Sequence, residues 1–143
     1  MKVKQISIFL ENKSGRLADV TETLGSAEIN IRALSIADTS DFGILRLIVD
    51  QPDKALAILK EEGFTVNETE VVAVGVDDTP GGLAKALAVL KEEEINIEYM
   101  YAFIGRASGD ALVVFRVQEI ERANQVLKER DFNLLSAEEV YEL

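Results

Sequence analysis

Residues 11–31 read ENKSGRLADVTETLGSAEINI, and residues 77–97 read DDTPGGLAKALAVLKEEEINI. At a shift of 66, Gly15, Leu17, Ala18, Leu24, Glu28, Ile29, Asn30 and Ile31 recur as Gly81, Leu83, Ala84, Leu90, Glu94, Ile95, Asn96 and Ile97. Chance would supply about one or two such identities at ordinary residue frequencies. A second block repeats at a shift of 68, with ALAILKEEGF at 55–64 over ANQVLKERDF at 123–132. The two-residue slip falls between the blocks, where a loop absorbs it. The chain is one unit written twice.

Working outward from those blocks, each copy reads alike. Residues 3–10 alternate, with Val3, Ile6, Ile8 and Leu10 mostly in step, and predict a strand; residues 71–76 are the counterpart. Ser14 and Thr79 look like hydroxyl N-caps, with Pro80 at the first helical position of the second copy. Leu17, Val20, Leu24 and Ala27 follow at helical spacing, matched by Leu83, Leu87 and Leu90. Second strands are expected at 29–37 and 95–103, third strands at 43–50 and 110–117. Second helices follow at 55–62 and 120–130, and closing strands at 64–70 and 132–137. Turns at 38–42 and 106–110 join the hairpins.

The order is βαββαβ, twice, which predicts an α+β fold of two ferredoxin-like units, residues 1–70 and 71–143, with helices covering one face of an antiparallel sheet. A unit of this size is marginal alone. Joined by almost no linker, the two are expected to pack into one body.

A strand, a polar loop ending Gly-x-Leu, an amphipathic helix and then Ile-Asn-Ile resembles the ACT domain. The first copy shows it as Glu11, Asn12, Lys13, Ser14, Gly15, Arg16 and Leu17 with Asn30 and Ile31. The second shows it as Asp77, Asp78, Thr79, Pro80, Gly81, Gly82 and Leu83 with Asn96 and Ile97. The resemblance covers nearly the whole chain. It implies a ligand-binding regulatory module, most often for an amino acid, that pairs with other ACT units, and here a free-standing tandem with no enzyme domain attached. The same residues then become the expected ligand contacts.

Loop physics is compatible with that role. A helix start presents unpaired N–H groups and the positive end of the dipole, a seat for a carboxylate. Glycine at 15 or 81 lets a ligand approach the backbone. Asn12, Asp77 and Asp78 offer acceptors for an ammonium group, and Asn30 or Asn96 could complete the cradle from a neighbouring unit. Each has a plainer reading too. The glycines suit a strand-to-helix corner, Ser14 and Thr79 suit caps, and loop Asn and Asp often serve their own turn. The copies differ, with Lys13 and Arg16 in one loop and Asp77 and Asp78 in the other, so they need not bind the same ligand.

Composition removes other classes. The 143 residues contain no Cys, His or Trp, which takes away thiolate and imidazole chemistry and the usual transition-metal ligands. Fifteen Lys and Arg face 26 Asp and Glu, for a net charge of −11. Both halves share the acidity, so neither nucleic acid nor an anionic membrane is an expected partner. No apolar run approaches a bilayer-spanning length or a signal-peptide core, and a cytoplasmic protein is expected. Glu61, Glu62 and the run Glu92, Glu93, Glu94 read as solvated helix ends. Tyr99, Tyr101 and Phe103 share one strand face, as core or interface, with Met100 on the other.

Three functions compete. The first is a non-catalytic amino-acid sensor that modulates a partner, with no cofactor and no metal. The second is a regulatory subunit of a separate metabolic enzyme, its own pockets vestigial. The third is an enzyme, for which only Lys13, Arg16, Asp77 and Asp78 supply charge at the loops. A homodimer is expected, because apolar residues occupy both faces of the third strands while helices cover only one.

Overall fold

A computed structural model describes residues 2–11, 13–38, 42–104 and 109–143. Its elements run β1 (Val3–Glu11), α1 (Arg16–Ser26), β2 (Ile31–Asp38), β3 (Phe42–Val49), α2 (Pro52–Glu61) and β4 (Thr65–Asp77), then α3 (Gly82–Glu92), β5 (Ile97–Ala102), β6 (Asp110–Val117), α4 (Ile120–Glu129), β7 (Asn133–Leu134) and α5 (Ala137–Tyr141). Two βαββαβ units result, as the repeat requires. Contacts divide the chain into Lys4–Thr69 and a second unit made of Met1–Val3 with Glu70–Leu143.

In the first unit the strand order is β2-β3-β1-β4. The register of β1 on β3 pairs Ile6 with Leu47, Ile8 with Leu45 and Leu10 with Gly43. Alternation sends those side chains to one face, where they form a core with Val20 and Leu24 of α1 and Ala55 and Leu59 of α2. On the other face Phe9 pairs with Ile44 and Glu11 with Phe42, and both phenylalanines are about half exposed. The second unit repeats the plan as β5-β6-β4-β7. Val72, Val74 and Val76 join Val113, Phe115 and Val117 beneath Ala86 and Leu90 of α3 and Ala123 and Leu127 of α4.

All four long helices stop in the same way. The amides of Glu28, Gly63, Glu94 and Asp131 donate to the carbonyls three residues back, and those of Ile29, Phe64, Ile95 and Phe132 reach five residues back. This is the Schellman motif, with the left-handed residue at C′ and an apolar residue after it. Gly63 takes φ +88° at no steric cost, whereas Glu28, Glu94 and Asp131 take φ of 60°, 55° and 64° as non-glycine residues. The recurring Glu-Ile of the EINI blocks is therefore a helix stop: Ile29 folds back onto Leu24, and Ile95 onto Leu90. A cation seals each stop further. Lys54 Nζ donates to the Ala27 carbonyl at 2.8 Å, and Arg122 donates to the Glu93 carbonyl at 2.6 Å.

Four expectations are corrected. Ser14 and Thr79 cap nothing. The N-cap residues are Gly15 and Gly81, in the left-handed region with no side-chain cap, and Gly82 rather than Pro80 opens α3. No linker separates the strands expected at 64–70 and 71–76, because residues 68–71 hold no Gly or Pro and β4 runs through them. The closing strand expected at 132–137 shrinks to two residues, and α5 follows it. Leu17, placed inward by its spacing, is 40% exposed. Asn12 and most of the two hairpin turns lie outside the described residues.

Candidate functional site

In each unit the strand-to-helix corner is built by one glycine. Gly15 (φ +88°) and Gly81 (φ +86°) turn the chain from strand into helix, a conformation that side-chain-bearing residues adopt only at a cost. A Cβ on either would meet no atom within 4 Å, so backbone conformation alone calls for glycine there. Gly82 differs, because a Cβ on it would collide with the backbone carbonyl of Asp77. The second loop thus closes tightly on the end of β4.

With no side-chain cap on α1, the first-turn amides of Leu17 and Ala18 donate to no backbone carbonyl among the described residues. The α1 start is thereby left as a donor site with the positive end of a helix dipole behind it. Beside it lies a cavity of 240 Å³ lined by Leu10, Glu11, Lys13, Arg16, Leu17, Ile36 and Gly43. Sheet register makes this space: Gly43 pairs with Leu10 on β1, and Ile36 comes in from β2. Leu17 is exposed because it stands at the end of the sheet, over this cavity.

Charge at the cavity is balanced. Lys13 Nζ lies 3.1 Å from Glu11 Oε2, and Arg16 approaches Asp19 Oδ2 at 3.4 Å. The Arg16 guanidinium also covers the Phe64 ring, with Cζ 5.1 Å from its centroid. Its Nε is buried and meets no acceptor among the described residues, a donor left over after folding.

Of the expected first-loop contacts, the structure brings Glu11, Lys13, Arg16 and Leu17 to one cavity; Ser14 and Gly15 belong to the turn beside it. Within the unit it does not bring Asn30 there. The Asn30 amide donates to Asp50 Oδ1 at 2.9 Å, and the Asp50 amide donates back to the Asn30 carbonyl at 3.1 Å. That exchange closes the far end of the β2–β3 hairpin, and with Ile31 next to it Asn30 stands roughly 20 Å of strand from Ile36. The spacing argument missed Leu10, Ile36 and Gly43. One signal was present, since a glycine just inside a strand often marks close approach by something else.

The second loop presents a different cavity. It measures 270 Å³ and is lined by Gly75, Val76, Asp77, Gly82, Lys85, Asp110, Arg130, Asp131, Phe132 and Asn133. Its counterpart in the first unit is an open groove of 590 Å³ between α1 and α2, which includes Arg16 and Phe64. Where Arg16 covers Phe64 in one unit, its counterpart Gly82 has no side chain to lay on Phe132 in the other. Asn96 and Ile97 line a separate apolar groove with Leu87, Leu90, Lys91, Glu94 and Ile95, away from the 77–83 loop. No cluster of three metal-ligating side chains occurs among the described residues.

Two βαββαβ units, each with a helix start set by a left-handed glycine, define a tandem of small α+β modules. The chain belongs to the ACT domain pair family, whose model matches residues 1–143. Among solved structures it is similar to protein BT0572 from Bacteroides thetaiotaomicron, with 49% identity, TM-score 0.93, and 100% and 98% of the two chains covered. It also shares its fold with the regulatory subunit of aspartate kinase from Thermus thermophilus, in a ligand-free form, at 19% identity, TM-score 0.65 and coverage of 92% and 94%. The corresponding subunit from Thermus flavus aligns at 18% identity and TM-score 0.61, over 90% and 92% of the chains. No curated protein matches the chain. No helix among the described residues is long and apolar enough to cross a membrane.

Proposed function

We propose that this ACT domain pair is a non-catalytic sensor that binds a small carboxylate metabolite, an α-amino acid, and modulates a partner protein. The observation that carries this reading is the 240 Å³ cavity at the uncapped start of α1. Leu17 and Ala18 amides and the helix dipole suit a carboxylate, Glu11 suits an ammonium group, and Arg16 brings a buried donor that meets no acceptor among the described residues. Glu11 and Lys13 at the cavity are already paired with each other, and Arg16 pairs with Asp19 outside it, an arrangement suited to exchanging partners with a zwitterion rather than to abstracting a proton. The 77–83 loop, with Asp77, Asp78, Thr79, Pro80, Gly81, Gly82 and Leu83, is the second candidate, its cavity holding Lys85 and Arg130 against three aspartates. A ligand that binds only the native state raises the melting temperature. Thermal shift and calorimetry against the twenty amino acids at millimolar concentration test the reading, and no response to any of them overturns it.

The functional state in this reading is a homodimer in the cytoplasm, and the partner is a metabolic enzyme regulated in trans. Phe9 and Phe42, on the face of the first unit that its helices leave bare, are 48% and 56% exposed, and an apolar patch of this kind suits a second copy. Sedimentation at physiological salt tests the dimer; a species of 15.7 kDa, with and without amino acids, overturns it.

A further inference from the structure

Resting on the sensor reading, we infer that the first-unit cavity selects amino acids with a branched or straight aliphatic side chain, valine to leucine in size. Volume sets the upper bound. A cavity of about 150 Å³ takes benzene, so the 240 Å³ here scales to about nine or ten non-hydrogen atoms. Leucine, isoleucine and methionine have about nine and valine about eight, whereas phenylalanine, tyrosine and tryptophan exceed the bound. Polarity sets the class. The lining places its charges at Glu11, Lys13 and Arg16, on the strand end and helix start, where they suit the two charges every α-amino acid carries. What remains for the side chain is Leu10, Leu17 and Ile36, with Gly43 as floor. Aspartate or asparagine fits by size, yet would bury polar atoms against three aliphatic groups with no partner. Glycine and alanine would leave the apolar wall without contacts.

The floor provides a size gauge. Gly43 needs no unusual backbone, and a Cβ on it would lie 3.7 Å from Cδ1 of Ile36, an ordinary contact. Gly43→Ala therefore keeps the fold and takes space from the ligand, while Ile36→Ala, at a residue already 54% exposed, gives space back.

Calorimetry on the full chain with free L-amino acids tests this. The wild type should bind valine, leucine, isoleucine and methionine and ignore aspartate, lysine and phenylalanine. Gly43→Ala should weaken leucine about tenfold and spare valine more, and Ile36→Ala should gain binding of phenylalanine, a result that an unfolded variant cannot give. Wild-type binding of charged or aromatic amino acids in place of aliphatic ones overturns the inference and leaves the sensor reading standing. Aliphatic binding that neither variant alters overturns the assignment to this cavity. Silence toward all twenty overturns the sensor reading and the inference with it.

Discussion

Cζ of Arg16 lies 5.1 Å from the centroid of the Phe64 ring. The first residue of α1 thus clamps the residue that follows the α2 stop, and ties the two helices of the first unit together at one end. Arg16 is one-third exposed at its side chain, so the contact belongs with surface cation–π pairs. Arg16→Ala should cost about 0.5–1 kcal/mol in chemical denaturation, and Arg16→Lys a part of that, because a lysine keeps the cation but lacks the planar guanidinium. Equal stability of all three proteins would show the stacking to be incidental.

The adjacent glycines of the second loop separate two physical demands. Gly81→Ala forces a side chain into the left-handed region but meets open space, and should cost about 1 kcal/mol. Gly82→Ala drives a methyl into the Asp77 carbonyl, where the neighbour is backbone and has nowhere to rotate. It should cost about 3 kcal/mol. The order is what denaturation must reproduce; a Gly82→Ala protein as stable as Gly81→Ala would mean that the loop can open.

Glu28, Glu94 and Asp131 bear side chains where helix stops favour glycine, and the fourth stop already has Gly63. Glycine holds the left-handed conformation without the roughly 1–2 kcal/mol of strain that a side chain brings there, and gives back about 0.5–1 kcal/mol through the freer unfolded chain. Each of Glu28→Gly, Glu94→Gly and Asp131→Gly should therefore stabilise by about 0.5–1 kcal/mol, adding nearly independently. A loss of stability would mean that these acidic side chains earn their place through contacts.

The duplication and the element order were legible because they are written as repetition and periodicity, which survive without tertiary knowledge. The first Gly-x-Leu loop supplies Glu11, Lys13, Arg16 and Leu17 to one wall of the candidate cavity. Its other walls were not legible, because Ile36 and Gly43 reach the loop only through the register of β2 and β3 on β1. Helical spacing put Leu17 in the core, since periodicity cannot tell where a helix overhangs its sheet. Ser14 and Thr79 had the chemistry of caps, but a left-handed glycine, one residue after Ser14 and two after Thr79, carries the chain past them. The backbone amide of Asn30 is held by Asp50, a partner twenty residues away that no local pattern connects to it, and this fixes Asn30 at the end of β2 far from the first loop of its own unit.

Lys2 lies between Glu121 and Glu70, 3.0 and 3.4 Å from their oxygens. Hydrogen bonds to Glu121 first and Glu70 second hold its ammonium above the ordinary lysine value of 10.5. A raised folded-state value means a contribution that is complete below 10.5 and fades as the pH climbs through the higher value. The group is solvent-exposed, so the effect is small. Lys2→Met should flatten the alkaline limb of the stability curve; an alkaline limb that keeps its wild-type slope would contradict the pairing.

The last turn of the chain depends on a capping box. The Glu139 amide donates to Ser136 Oγ, and the Ser136 amide donates to Glu139 Oε1, both at 3.2 Å. The helix it starts has five residues, far below the length that persists unaided in water. Two things hold it: burial of Ala137 and Val140, and the box, which satisfies donors that so short a helix cannot. Ser136→Ala removes the acceptor and should cost about 1 kcal/mol. If the box holds only α5, amide exchange at 137–143 should accelerate in Ser136→Ala while the amides of β4 and β6 keep their protection, because local opening draws on the least stable segment. Glu139→Gln keeps a side-chain acceptor for the Ser136 amide and should exchange nearly as slowly as the wild type. Uniform acceleration across the unit would instead make α5 part of the global unfolding step, its short length supported by Val140 in the core rather than by its cap.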